Sequence, residues 1–126
     1  MAKILIIDDD PEFARLEEMA LRSLGHEVLM TSDGRTGLEM ARSERPDVVL
    51  LDLLMPGLHG FAVCYEIRND PSLQGVRVLI TSSKAYAADI RKAKQLGAAD
   101  YLVKPFEMAE LLRKVNELLN PNEPPG

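Results

Sequence analysis

Carboxylates stand at the ends of two aliphatic runs in this chain. Asp8-Asp9-Asp10 follows Lys3-Ile4-Leu5-Ile6-Ile7, and Asp52 follows Val48-Val49-Leu50-Leu51. Two further runs end in groups that could hold an anion. Val76 to Ile80 leads to Thr81-Ser82-Ser83, and Asp100 to Val103 leads to Lys104-Pro105-Phe106. Carboxylates crowded together repel and raise one another's pKa, so a chain that gathers several of them needs a cation. Oxygen ligands without His or Cys favour Mg²⁺, Mn²⁺ or Ca²⁺ over zinc. A lysine and a hydroxyl aimed at the same point add donors for an anion. Metal, anion-binding donors and a carboxylate nucleophile are together the parts needed for phosphoryl transfer to Asp. Asp52 is the lead candidate, set against the plainer reading of an Asp after a strand as a turn former or helix cap.

The elements that must position these groups follow from periodicity. The run at Val48 to Leu51 reads as a strand buried on both faces, and the Pro56-Gly57 pair beyond it forces a turn. Asp10 and Pro11 form an N-cap and first-turn pair for a helix on which Phe13, Leu16, Ala20 and Leu24 recur at helical spacing. Gly25 stops that helix in the C′ position. His26 to Thr31 is a weaker strand. Asp33-Gly34 opens a second helix to about Glu44, ended before Pro46. The next strand covers Asp47 to Leu51.

A third helix runs from about Gly60 to Arg68, with Val63, Cys64 and Ile67 inward, and Asn69-Asp70-Pro71 breaks it. Val76 to Ile80 is the fourth strand, Ala87 to Leu96 an Ala-rich fourth helix with Gly97 as its stop, and Asp100 to Val103 the fifth strand. Met108, Leu111, Leu112, Val115, Leu118 and Leu119 make one apolar stripe on the last helix. Strand and helix alternate five times with short connections. The pattern implies right-handed crossovers and a three-layer α/β domain whose parallel sheet is covered on both sides. In such a sheet all strand carboxyl ends meet at one edge, where ligands bind in open α/β folds.

Composition narrows the class further. With 126 residues, 46% hydrophobic and 28% charged, the chain reads as a single soluble domain. No apolar run is long enough to span a bilayer and no signal-peptide pattern opens the chain, so a cytoplasmic location is expected. The single Cys64 excludes an internal disulfide and reads as a small core residue. A formal charge of −5 gives no support for nucleic-acid binding by this domain. Arg91, Lys92 and Lys94 read as a solvated face, and His59 as a loop-packing residue.

The stretches Ile-Ile-Asp8-Asp9, Leu-Leu-Asp52-Leu-Leu-Met-Pro56-Gly57, Gly60, Ile80-Thr81, Gly97-Ala98 and Tyr101-Leu-Val-Lys104-Pro105-Phe106 resemble, in this order and spacing, the receiver domain of two-component response regulators. The resemblance covers about Lys3 to Leu119. It implies a (βα)5 doubly wound, flavodoxin-like fold with strand order 2-1-3-4-5, a receiver domain over 1–119 and a Pro-rich tail or linker stub over 120–126. By the same resemblance, Asp52 is expected to be the phosphoacceptor. Asp9 would ligate Mg²⁺ directly, Asp8 mostly through water, and the Leu54 backbone carbonyl would complete the protein's share, with Mn²⁺ a possible substitute. Lys104 would grip a phosphoryl oxygen, Thr81 would bond another, and Thr81 with Tyr101 would form the switch that reshapes the face of the fourth helix, fifth strand and fifth helix. A cis peptide is expected before Pro105, and Asp10 is assigned to capping.

The implied function is a phosphorelay step. A histidine kinase or phosphotransfer protein, or a small phosphodonor, supplies the phosphoryl group. A downstream effector or linked output domain reads the change, and the domain catalyses only its own phosphorylation and dephosphorylation. Three positions depart from or tune the family pattern. Ser82 stands where Ala or Gly is usual, and Leu54 with Ser83 flank the phosphoryl position, an apolar Leu54 suggesting slow self-dephosphorylation. The rival readings are a phosphorylation-independent interaction module, a haloacid-dehalogenase-like phosphatase using Asp8-Asp9-Asp10, and a flavodoxin relative. Against the phosphatase, Asp52 would have no role; against the flavodoxin, an acidic loop after the first strand repels a phosphate.

Overall fold

The structure is a computed structural model describing residues 1–55 and 57–121. Five strands and five helices alternate: β1 (Lys3–Ile7), α1 (Pro11–Ser23), β2 (Glu27–Thr31), α2 (Gly34–Glu44), β3 (Val48–Asp52), α3 (Gly60–Arg68), β4 (Arg77–Ser82), α4 (Ala87–Gln95), β5 (Asp100–Val103) and α5 (Met108–Leu119). A 3₁₀ turn at Pro71–Leu73 leads into β4. All strand pairs are parallel and the order is β2-β1-β3-β4-β5. This is the doubly wound order that the family resemblance implies.

Strand parity divides the core in two. Leu5, Ile7, Val49, Leu51, Val78 and Ile80 pack with Leu38, Ala41, Val63, Cys64, Ile67 and Ala93 from α2, α3 and α4. Their neighbours Ile4, Ile6, Val48, Leu50, Leu79 and Leu102 pack on the other face with Ala14 and Leu21 of α1 and Leu111 and Val115 of α5. Side chains of a strand alternate between faces, and helices cover both faces here, which is why the strands read as unbroken aliphatic runs. Each Val, Leu or Ile side chain buried this way contributes about 1.5–3 kcal/mol of hydrophobic stabilisation.

Local chemistry sets the helix ends. The Asp10 carboxylate accepts from Glu12 N and Phe13 N at 3.2 Å each, so it caps α1 as expected, with Pro11 at the first turn. At the other end Gly25 has φ +88°, with Gly25 N–H on Arg22 O and His26 N–H on Leu21 O. These two bonds satisfy carbonyls that the last turn would leave open.

The structure moves several expected boundaries. β2 begins at Glu27 because the His26 N–H still closes the end of α1 on Leu21 O at 3.4 Å, while its ring Nδ1 accepts from Ala2 N at 3.1 Å. β3 is shifted one residue, to Val48–Asp52: the Asp47 carboxylate instead ties the strand entrance by accepting from Lys3 N. β4 runs on through Thr81 and Ser82, since Asp52 and Thr81 are register partners and the ladder extends that far. On α1 the buried residues are Ala14, Glu17 and Leu21, while Leu16 and Leu24 are exposed. The helical spacing of Phe13, Leu16, Ala20 and Leu24 therefore marks a helix but not its innermost face. Ala14 is small enough to let the helix approach the sheet, and the charge on Glu17 hid this face from an apolar pattern. The turn expected at Pro56-Gly57 is described only at Gly57, with φ +78°, Pro56 lying outside the described residues. The tail expected at 120–126 is described only to residue 121.

Candidate phosphoacceptor and metal site

Parallel register brings the site together. Ile7, Leu51 and Thr31 lie level at the ends of their strands, as do Asp52 and Thr81. Asp8 follows β1 and Lys104 follows β5, with Lys104 N–H bonded to Ser82 O at 2.8 Å. Asp8, Asp52, Thr81 and Ser82 are all buried, whereas Asp9 is exposed. Gly60, the first residue of α3, sits directly under this edge. A Cβ there would lie 2.5 Å from Asp52 O and 2.6 Å from Leu53 Cα, so only glycine lets α3 start so near the end of β3.

The carboxylate oxygens of Asp8, Asp9 and Asp52 all lie within 4.8 Å of one another. Lys104 Nζ bridges two of them, 2.9 Å from Asp8 Oδ2 and 3.4 Å from Asp52 Oδ2. The other oxygens are also engaged: Asp8 Oδ1 accepts from Asp10 N, and Asp52 Oδ1 accepts from Leu54 N at 3.2 Å. The Lys104 ammonium also lies 4.7 Å from the centroid of Phe13, whose ring meets Phe106 edge-on at 5.1 Å. An aromatic face over an ammonium is electrostatically attractive and shields one side of it from water.

Burial dominates the electrostatics of Asp52 and raises its carboxyl to about 6; the Asp8 charge adds to this and Lys104 opposes it. Asp52 therefore stays mostly ionised at neutral pH, as a nucleophile or ligand must. For Lys104, burial is the largest influence and works to lower its pKa. The hydrogen bond to Asp8 and the charges of Asp8, Asp52 and Glu17 outweigh it, and the pKa is raised. The ammonium is thus fully charged at neutral pH.

Three oxygen-bearing carboxylates in one small concavity, with no histidine or cysteine among them, fit a hard divalent cation. The bridging of two of them by Lys104 shows that they draw positive charge. The Leu54 side chain is 40% exposed at the rim, in the loop that follows Asp52. Thr81 is buried one strand away. Tyr101 is also buried, and its hydroxyl donates to Lys84 O at 2.9 Å, so the ring already packs inward beneath the β4–α4 loop. The Lys104–Pro105 peptide is cis, as expected.

Residues expected to be bystanders are so placed. His59 caps α3, its Nδ1 accepting from Phe61 N at 3.0 Å. Cys64 is in the core, its thiol pushed up to about 11 by burial. Lys92 is exposed and lies over Phe61. The sequence reading missed two residues near the site, Phe13 and Glu17. They lie four apart on a helix that begins two residues after the metal-site acids, and that spacing could have placed both on one face.

The chain matches the response regulator receiver domain over residues 4–116 and belongs to that family. It is 42% identical over 120 residues to the protein PilH of Pseudomonas aeruginosa, covering 94% of this chain and 98% of PilH. It is 38% identical to the DNA-binding response regulator MtrA of Mycolicibacterium smegmatis, covering 96% of this chain but 52% of MtrA. The chain thus spans nearly all of one relative and about half of the other. Among solved structures, Vibrio cholerae chemotaxis protein CheY4 superposes with a TM-score of 0.88 at 30% identity, covering 94% and 98% of the two chains. The receiver domain of the sensor histidine kinase PA1611 of P. aeruginosa, with magnesium coordinated in its active-site cleft, gives 0.86 at 33% identity and the same coverage. The protein is a receiver domain of two-component phosphorelay signalling rather than a conventional enzyme. Membership of this family removes the phosphatase and flavodoxin readings.

Proposed function

We propose that Asp52 accepts a phosphoryl group from a histidine kinase, a phosphotransfer protein or a small phosphodonor. A carboxylate oxygen of Asp52 attacks phosphorus, and the bond from phosphorus to the donor breaks as the donor leaves with the electron pair. Imidazole leaves from a phosphohistidine and acetate from acetyl phosphate. Asp8, Asp9 and Asp52, with the Leu54 carbonyl, would hold Mg²⁺ or in its place Mn²⁺, which supplies charge neutralisation for nucleophile and phosphoryl oxygens when bound. Lys104 exchanges its carboxylate partners for a phosphoryl oxygen as that charge arrives. Thr81, level with Asp52 on the next strand, donates its hydroxyl to another.

The carrying observation is the convergence of three carboxylates and one ammonium on the end of a buried strand. Output follows from contacts that exist only after phosphorylation. Thr81 is drawn toward the phosphoryl group, the already inward Tyr101 ring is held behind it, and the face of α4, β5 and α5 shifts between two packings. The reader is a downstream protein or a linked output domain, and the place of action is the cytoplasm. This domain itself contacts neither nucleic acid nor membrane in this reading; among the described residues no helix is long and apolar enough to cross a membrane.

Intact mass after incubation with acetyl phosphate tests the reading. The wild type is expected to gain one phosphoryl group only with Mg²⁺, and Asp52→Asn to gain none. No gain by folded wild type would leave a phosphorylation-independent binding module.

A further inference from the structure

Five polar or charged side chains are buried among the described residues, and four of them (Asp8, Asp52, Thr81 and Ser82) form the site edge. The fifth is Glu17, 1% exposed, on the inward face of α1 between Ala14 and Leu21. Its Oε2 is buried without a hydrogen-bond partner. A carboxyl group in that condition is costly, roughly 1–3 kcal/mol or more for the lost solvation. A core helix facing a sheet would be more stable with Leu there.

Glu17 lies one helical turn from Phe13, the residue whose ring covers the Lys104 ammonium. Its carboxyl senses Asp8, Lys104, Asp52 and Asp10, and Lys104 in turn senses Glu17. Phe13 and Glu17 therefore form a strip along α1 that begins at the ammonium and runs inward. In the structure the ammonium is held by Asp8 and Asp52. Those are two of the three carboxylates that fit a divalent cation, so ammonium and metal compete for the same carboxylates. When the metal takes them, a positive charge is left next to a doubly positive one and must find another acceptor. The buried oxygen of Glu17, on the same strip of α1, is the nearby acceptor left without a partner.

We propose that Glu17 is a positioning residue that receives the Lys104 ammonium when Asp8 and Asp52 turn to a metal ion. The inference rests on the metal reading given above. Glu17 then acts only through Lys104. It lowers the energetic cost of vacating the two aspartates and keeps the ammonium beside the site, ready for a phosphoryl oxygen.

The test is a double-mutant cycle on Mg²⁺ binding, using Mg²⁺ alone and reading amide NMR shifts or calorimetric heats. Glu17→Leu, checked for folding by its thermal melt, is expected to bind Mg²⁺ about tenfold more weakly than wild type, the size of one charge-assisted hydrogen bond. In a Lys104→Ala background, where no ammonium needs a second home, the same substitution is expected to change Mg²⁺ affinity less than about twofold. Equal weakening in both backgrounds would overturn the proposal, because Glu17 would then act by its own charge or through packing. No weakening in either background would overturn it as well. Wild type that binds no Mg²⁺ would overturn the metal reading, and this inference with it.

Discussion

At the scale of single residues, the buried carboxyls put a sign on the pH dependence of stability. Burial, with Asp8 adding to it, raises Glu17 from an ordinary 4.5 to about 8. Burial likewise raises Asp52 from 3.8 to about 6. A group whose folded pKa exceeds its unfolded value binds more protons in the native state. Its stabilising effect is complete below the unfolded value and is lost as pH rises through the folded one. Asp52 has its midpoint near 6 and is largely ionised by about pH 7, and His26 and His59, both lowered from 6.5 mainly by burial, act around and below that value. Between about pH 7 and 8 the slope thus belongs mainly to Glu17. Thermal melts should show stability falling across that window by about 1 kcal/mol. Glu17→Leu should flatten the slope and melt higher at pH 8; an unchanged slope would mean that the carboxyl ionises freely in the fold.

At the scale of elements, what the sequence revealed and what it hid divide along physical lines. β1, β3 and β4 were legible because both their faces are buried, which leaves aliphatic runs ending abruptly in acid or hydroxyl, while the short edge strand β5 was legible from its place before Lys104-Pro105. The capping of α1 was legible because Asp followed by Pro has few other uses. The inner face of α1 was not. Its central position is Glu17, a residue that any hydrophobic pattern assigns to solvent, while exposed Leu16 and Leu24 imitate a core stripe. The one-residue shift of β3 was hidden for a different reason, since backbone ladders continue past the last apolar side chain wherever a partner strand offers a carbonyl. Gly60 gives the element scale its own prediction. A methyl there meets Asp52 O and the Leu53 backbone, which cannot give way without moving the end of β3. Gly60→Ala is expected to cost about 1–3 kcal/mol in denaturant unfolding, the usual range for overpacking. It should also weaken Mg²⁺ binding, because the displaced atoms carry Asp52. Retention of both properties would show that α3 can slide away.

At the scale of the molecule, the site lies on the rim where the two cores meet, so a change of charge there bears on both. Leu102 belongs to the core under α1 and α5, while its neighbour Tyr101 belongs to the core under α2, α3 and α4. Tyr101 also holds Lys84 O through its hydroxyl, linking β5 to the β4–α4 loop. Loading the site with beryllofluoride and Mg²⁺, a non-hydrolysing phosphoryl mimic, is expected to move amide signals through Thr81 to Lys84, α4 and Tyr101. The free ends of α2 and β2 should move far less. Asp52→Asn should abolish the pattern. Shifts confined to Asp8, Asp9 and Asp52 in the wild type would show a site that binds without reporting.

The Lys104–Asp8 pair joins positions 96 residues apart. A chain being synthesised therefore exposes its acids first and receives their counter-charge almost last. Until β5 has been made and laid against β4, Asp8 and Asp52 have only solvent and small ions to offset them. Docking of β5 both completes the sheet and brings the ammonium to the carboxylates, so the ion-paired cluster needs the final strand in place. A truncated product that stops before β5 would keep the acids yet lack the Lys104 ammonium that offsets them.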